Sequence, residues 1–305
     1  FYGRYSYYRD CDNLFFYDMI NEEVVMEEYR KIEKSIIKKY RRKLWSKFVR
    51  AIKDYDLIQP NDHIAVCISG GKDSMLLAKC MEELKRHGQF DFDVSYIVMD
   101  PGYQEENRKK VEENLKKLHI NAEIFHADIF KVAEKTSVGY NNTPCYLCAR
   151  MRRGNLYAKA KELGCNKIAL GHHFNDVIET ILLNMIYTGQ YSSMLPKLHS
   201  DNFEGMELIR PLYYIKEKDI EAWVRYNELT FIDCACSVTK KGSGKREEMK
   251  RLVKELVDLY EDADIHIFKS SENVNMNTIL GYRWNGEKHS FLEYYEKEQT
   301  SKQDD

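Results

Sequence analysis

Residues 64–74, Ile-Ala-Val-Cys-Ile-Ser-Gly-Gly-Lys-Asp-Ser, hold the parts of a phosphate cradle. Gly70 and Gly71 let a backbone approach an anion with no Cβ in the way, while Ser69, Lys72 and Ser74 add hydroxyls and a cation. The spacing is not that of the Walker loop, which needs four residues between its first glycine and the Gly-Lys pair. Asp73 adds a carboxylate that could place Mg2+ or shuttle a proton. A second glycine-led turn, Gly171-His172-His173-Phe174-Asn175-Asp176, brings imidazoles and another carboxylate. Its His-His-x-x-Asp pattern could bind a metal, but beside a triphosphate it fits nucleotide and Mg2+ positioning better, with Asp176 the stronger candidate and His173 free to cap or pack. Cys145 and Cys148 form a Cys-x-x-Cys pair, which converges on one metal ion or cluster but also serves redox chemistry. Cys234 and Cys236 are the other closely spaced cysteines, whereas Cys67, Cys80 and Cys165 read as small buried hydrophobes.

These groups need elements to position them. Residues 64–68 read as a buried parallel strand and 75–86 as a helix, so 69–74 form the turn between them, with helix-start amides and the helix dipole facing an anion. Residues 92–99, 122–126 and 167–170 are strand-like, and 105–118 and 177–187 are helical. This alternation predicts an α/β fold with a parallel sheet and helices on both faces. Ligands then bind beyond the carboxyl ends of the strands, which puts Asp100 beside the 69–74 turn, either as an adenosine contact or as a turn residue before Pro101-Gly102. Arg150, Arg152 and Arg153 follow Cys148 on a basic helix that closes at Gly164. Arg210 could reach a nucleotide or an RNA, or pair with Asp219 or Glu221. Lys240, Lys241, Lys245 and Arg246, with two glycines, suggest a mobile basic loop.

The chain has 305 residues, 43% hydrophobic and 31% charged, with a net charge of −2, so an RNA partner has to be argued from local clustering. Between residues 30 and 53 bases are dense and Glu33 is the single acid, while Ile37, Tyr40, Leu44, Phe48 and Ile52 recur at helical spacing. That predicts an amphipathic helix docked on the body, presenting Lys38, Lys39, Arg41 and Arg42 to RNA phosphates or simply to solvent. Eight cysteines without a visible secretory leader or membrane span place the expectation in the cytoplasm. The expected organisation is an aromatic and acidic extension (1–28), the basic helix (29–58), a catalytic domain (59–260) and a C-terminal extension with a tail (261–305).

Ser-Gly-Gly-Lys-Asp-Ser resembles the PP-loop of the ATP pyrophosphatase superfamily, which splits ATP between the α- and β-phosphates and adenylates a substrate oxygen. Together with Pro-Cys-Tyr-Leu-Cys-Ala-Arg-Met-Arg-Arg-Gly, Ala-Leu-Gly-His-His-Phe-Asn-Asp, Leu-Leu-Asn-Met-Ile-Tyr, and Ile-Arg-Pro-Leu with Glu217-Lys218-Asp219-Ile220, it resembles the tRNA 2-thiocytidine synthetases over residues 41–256. The resemblance implies ATP bound by Ser69, Gly70, Gly71, Lys72, Ser74, Asp100, Gly171 and His172, and catalysis by Asp73, Asp176 and Arg152. It implies a 4Fe-4S cluster on Cys145, Cys148 and either Cys234 or Cys236; all four thiolates together would instead suit structural Zn2+. It also implies a tRNA partner, for which the clustered bases Lys38, Lys39, Arg41 and Arg42 and the helix bases Arg150 and Arg153 are the candidate contacts, a sulfur donor such as a cysteine desulfurase or inorganic sulfide, and a homodimer. Asn175 departs from the family pattern by replacing an acid often found beside Asp176, which leaves one carboxylate fewer for metal. Alternative readings are a tRNA 2-thiouridine synthetase, a lysidine-forming ligase, and an RNA-binding ATP or Fe-S protein without turnover.

Overall fold

The computed structural model describes residues 28–88, 91–127, 129, 144–232, 244–293 and 295, with side chains at all of these except 144–149. The run 64–68 forms the centre of the sheet and is buried on both faces, its β-branched Ile64, Val66 and Ile68 on one and Ala65 and Cys67 on the other. Strand β1 (His63–Ile68) pairs in parallel with β2 (Asp93–Asp100) on one side and β4 (Lys167–Ala169) on the other. β3 (Ala122–His126) extends the β2 side, and β6 (Glu207–Ile209) with β5 (Lys197–His199) extends the β4 side, giving the order β3-β2-β1-β4-β6-β5. β5 is antiparallel to β6; every other pairing in this sheet is parallel.

The chain leaves β1 toward β2 and returns to the other flank at β4, so a crevice opens at the carboxyl ends of β1 and β4. Helices α2 (Lys72–His87) and α3 (Glu105–Lys117) connect the first three strands, α4 (Pro144–Glu162) precedes β4, and α5 (Phe174–Thr188) follows it. One side of the sheet holds the main core, where Ile64, Val66 and Ile68 meet Met75, Leu76 and Met81 of α2. The other side packs Ala65, Cys67 and Ile168 against Tyr157 and Ala160 of α4. A third cluster joins Phe174, Val177 and Ile181 of α5 to Val253 and Phe268.

The basic segment docks as expected but is not one helix. Residues 28–34 are α-helical, Ser35–Lys39 form a π-helical turn, and residues 40–44 turn before α1 (Trp45–Asp54) resumes. Ile36, Tyr40, Leu44, Phe48 and Ile52 are buried at a spacing of four, with Ile36 rather than Ile37 facing the core. Lys79, fully buried on α2, holds this segment through Glu33 at 2.7 Å and also donates to the Leu118 carbonyl at 2.9 Å.

Beyond β6 the chain forms α6 (Glu217–Tyr226), α7 (Lys245–Leu259), α8 (Ala263–Ser270) and a hairpin of β7 (Gly281–Trp284) with β8 (Glu287–Ser290). Lys245 and Arg246 therefore open a helix, which corrects their assignment to a loop; Lys240 and Lys241 lie outside the described residues. Among the described residues no helix is long and apolar enough to cross a membrane.

Candidate active site

The 69–74 turn links β1 to α2 as the sequence predicts, and close approaches dictate Gly70 within it and Gly171 beside it. Gly70 has φ +84°, in the left-handed region that a side chain resists, and a Cβ there would come within 2.6 Å of Val111 and 2.7 Å of Ile232. Gly171, at the start of the second turn, lies so close to α2 that a Cβ would meet the Ser74 nitrogen at 3.0 Å. The hydroxyl of Ser74 accepts from the Ser69 amide at 3.1 Å and donates to the Gly71 carbonyl at 2.9 Å. Ser74 thus shapes the cradle from within.

A cavity of about 380 Å3 opens over these turns. The 69–74 turn contributes Ser69, Asp73 and Ser74, the second turn contributes Gly171, His172 and Asp176, and α4 contributes Arg152 and Arg153. Cys67, Met99, Tyr103, Leu156 and Leu170 complete much of the wall. The sequence reading missed Tyr103, whose hydroxyl donates to the Ser69 carbonyl at 3.0 Å, because nothing local marks a loop tyrosine as reaching another strand end.

His173 and Asp176 form a capping box at the start of α5: the His173 amide donates to Asp176 Oδ2 at 2.9 Å, and the Asp176 amide donates to His173 Nδ1 at 3.4 Å. His173 therefore caps, and its Nε2 also lies 3.8 Å from Asp73 Oδ1. Burial pushes the Asp73 carboxyl up despite the pull of His173 and Lys72, and its buried Oδ1 accepts no hydrogen bond. Burial acts the same way on Asp176, but His173, His172 and Arg246 outweigh it and hold that carboxyl low. His172 is driven down by burial and by the cations Arg210 and Arg246, so its imidazole is neutral, with a buried Nδ1 that has no hydrogen-bond partner. One turn along α5, Glu179 is 5% exposed, and burial beside Asp176 pushes it up to about 7.

Lys72 reaches Glu217 of α6 at 3.1 Å and Asp73 at 3.4 Å. Asn175 turns its side-chain oxygen to the Glu217 amide at 2.9 Å, so this departure from the family pattern seats α6.

Asp100 closes its own turn instead of entering the cavity. Its carboxylate accepts from the amides of Gly102 and Tyr103 and lies 2.6 Å from Arg108. Arg210 is buried and donates to the Leu195 carbonyl, while Asp219 lies 3.5 Å from both Lys43 and Lys47 and Glu221 lies 3.8 Å from Arg225, so neither of the expected acidic partners pairs with Arg210. Lys38, Lys39, Arg41, Arg42 and Arg150 are exposed and line no part of the cavity. Cys145 and Cys148 lie in the first turns of α4, seven and four residues before Arg152, but their side chains, like all of Cys234 and Cys236, lie outside the described residues. Among the described residues no group of three or more His, Cys, Asp or Glu could hold a metal ion.

The PP-loop domain family matches residues 40–241. The chain is similar to proteins named tRNA-cytidine(32) 2-sulfurtransferase. The one from Syntrophotalea carbinolica is 38% identical over 209 residues, covering 68% of this chain and 80% of the relative. That from Geobacter metallireducens is 38% identical over 223 residues, covering 72% and 84%. Among solved structures, the U34-tRNA thiolase NcsA from Methanococcus maripaludis with its 4Fe-4S cluster shares the fold at a TM-score of 0.58 and 22% identity, covering 74% of this chain and 76% of NcsA. With the phosphate turn, the second glycine-led turn and the cysteine-bearing helix arranged around one cavity, the chain belongs to the tRNA 2-thiocytidine synthetase family of PP-loop enzymes.

Proposed function

We propose that this chain is an ATP-dependent tRNA sulfurtransferase that adenylates the C2 oxygen of a cytidine in the anticodon loop and replaces that oxygen with sulfur. The observation that carries the reading is the shared cavity: the phosphate turn and Arg152 and Arg153 of α4 line one space, and α4 begins with the Cys-x-x-Cys pair. The names of the relatives, tRNA-cytidine(32) 2-sulfurtransferase, supply the substrate class.

A pyrimidine C2 oxygen is a poor leaving group. In the first step it bonds to the α-phosphorus of ATP as pyrophosphate departs, and in the second a sulfide-level sulfur bonds to C2 as the C2–O bond breaks and AMP carries the oxygen away. Gly70, Gly71 and Lys72 would hold the phosphates, with Ser69 and Ser74 shaping their turn. Asp73 fits a Mg2+ ion, because its buried Oδ1 lacks a hydrogen bond and Asp176 borders the same cavity. Arg152 lines the cavity, and a guanidinium side chain serves there as an electrostatic partner rather than a base, toward charge that develops near the target base. Soft thiolates at Cys145, Cys148 and one of Cys234 or Cys236 suit a 4Fe-4S cluster, which would supply the sulfide. The sulfur donor would be inorganic sulfide, or a cysteine desulfurase whose persulfide sulfur a two-electron reductant brings to the sulfide level, and the assembly a homodimer.

Anaerobic purification followed by iron, acid-labile sulfide and zinc analysis tests the reading. About four irons and four sulfides per chain are expected. Stoichiometric zinc without iron would make the cysteines a structural staple and overturn the sulfur-transfer step.

A further inference from the structure

The Glu217-Lys218-Asp219-Ile220 motif has no part in the reaction described above, yet Glu217 joins three separate segments at the phosphate turn. Its Oε1 lies 3.1 Å from Lys72 Nζ, Lys250 of α7 reaches its Oε2 at 2.9 Å, and its main-chain amide donates to Asn175 at 2.9 Å. The carboxylate is well shielded, with 14% of its side chain exposed. A lysine ammonium has three donors. Asp73 and Glu217 take two directions from Lys72, which leaves one for a phosphoryl oxygen. Two carboxylates beside a single lysine would repel phosphate, and Lys250 offsets one of them, so the formal charges of Lys72, Asp73, Glu217 and Lys250 balance. Lys72, Glu217 and Lys250 are each ionised: burial opposes every charge, and the neighbouring opposite charges outweigh it.

We propose that Glu217 is a positioning residue for adenylation: braced by Lys250, it holds the Lys72 ammonium in the orientation that the departing pyrophosphate requires. The inference rests on the ATP-cleaving reading and adds to it a role for α6 and α7. It makes a prediction opposite to that of a structural prop. Removing an anion from the surroundings of ATP does not weaken ATP binding, whereas a loosened Lys72 slows the chemical step.

The test uses the anaerobically purified full chain with an RNA substrate, measuring pyrophosphate formation and calorimetric ATP affinity. E217A is expected to slow pyrophosphate formation at least about tenfold with ATP affinity unchanged or tighter. E217Q, which keeps an acceptor for Lys72, should fall between wild type and E217A. Placed on K72M, E217A should add less than about twofold, because both changes act on one group. The Asn175 cap uses the main-chain amide of Glu217, so E217A retains it and should melt with wild type. Unchanged turnover in E217A would overturn the proposal. So would multiplying losses in the double variant, or turnover, ATP affinity and melting temperature falling together. Wild type making no pyrophosphate would overturn the sulfurtransferase reading and this inference with it, a result distinct from an active wild type with an indifferent E217A.

Discussion

The guanidinium of Arg246 lies 3.6 Å from Asp176 and 3.7 Å from Glu179, so a cation from α7 already sits beside Asp176, the second carboxylate of the cavity in which the proposed mechanism puts Mg2+ on Asp73. R246A should lower the Mg2+ concentration for half-maximal pyrophosphate formation by about threefold, the scale of a half-exposed ion pair. A magnesium titration of both proteins checks this. An unchanged midpoint would separate Asp176 from the metal.

Glu179 makes stability depend on pH. Its carboxyl is raised from 4.5 to about 7, so the folded state holds a proton that the unfolded chain has released above pH 4.5. Its contribution is fully present below pH 4.5 and is lost as pH rises through about 7. E179Q should therefore match wild type in urea unfolding near the acid end of this window and exceed it at pH 8 by roughly 1 to 3 kcal/mol.

Glu33 should matter more than its place among surface bases suggests. E33A would leave the fully buried Lys79 without its closest described carboxylate on the docked N-terminal segment. A loss of about 3 kcal/mol is expected in urea unfolding.

The exposed bases lend themselves to a salt titration. Replacing Lys38, Lys39, Arg41 and Arg42 with Ala should weaken binding of an anticodon stem-loop RNA. The slope of log affinity against log salt should become shallower by about 0.7 to 0.9 for each RNA phosphate that is no longer neutralised. ATP affinity should not change, because none of the four lines the cavity. An unchanged slope would assign them to a solvated face.

The phosphate turn was legible because its causes are local: a β-branched run, two glycines and a helix start in one stretch of eleven residues. The parallel sheet was legible from alternation, although its strand order and the antiparallel β5 were not, since three residues carry little pattern. The break at residues 40–44 was hidden because burial every four residues looks the same across a π-helical turn and a continuous helix. Asp100 had two uses open to it; the amides of Gly102 and Tyr103 decided for the turn. Pairings such as Lys72–Glu217, 145 residues apart, leave no trace in local pattern and needed the fold.

The most direct measurement is nucleoside analysis of tRNA incubated anaerobically with the protein, ATP, Mg2+ and sulfide. 2-Thiocytidine appearing only when ATP is present, with one pyrophosphate and one AMP formed per sulfur inserted, is the predicted result. ATP cleavage that leaves every cytidine unmodified, or thiolation that proceeds without ATP, would contradict the account.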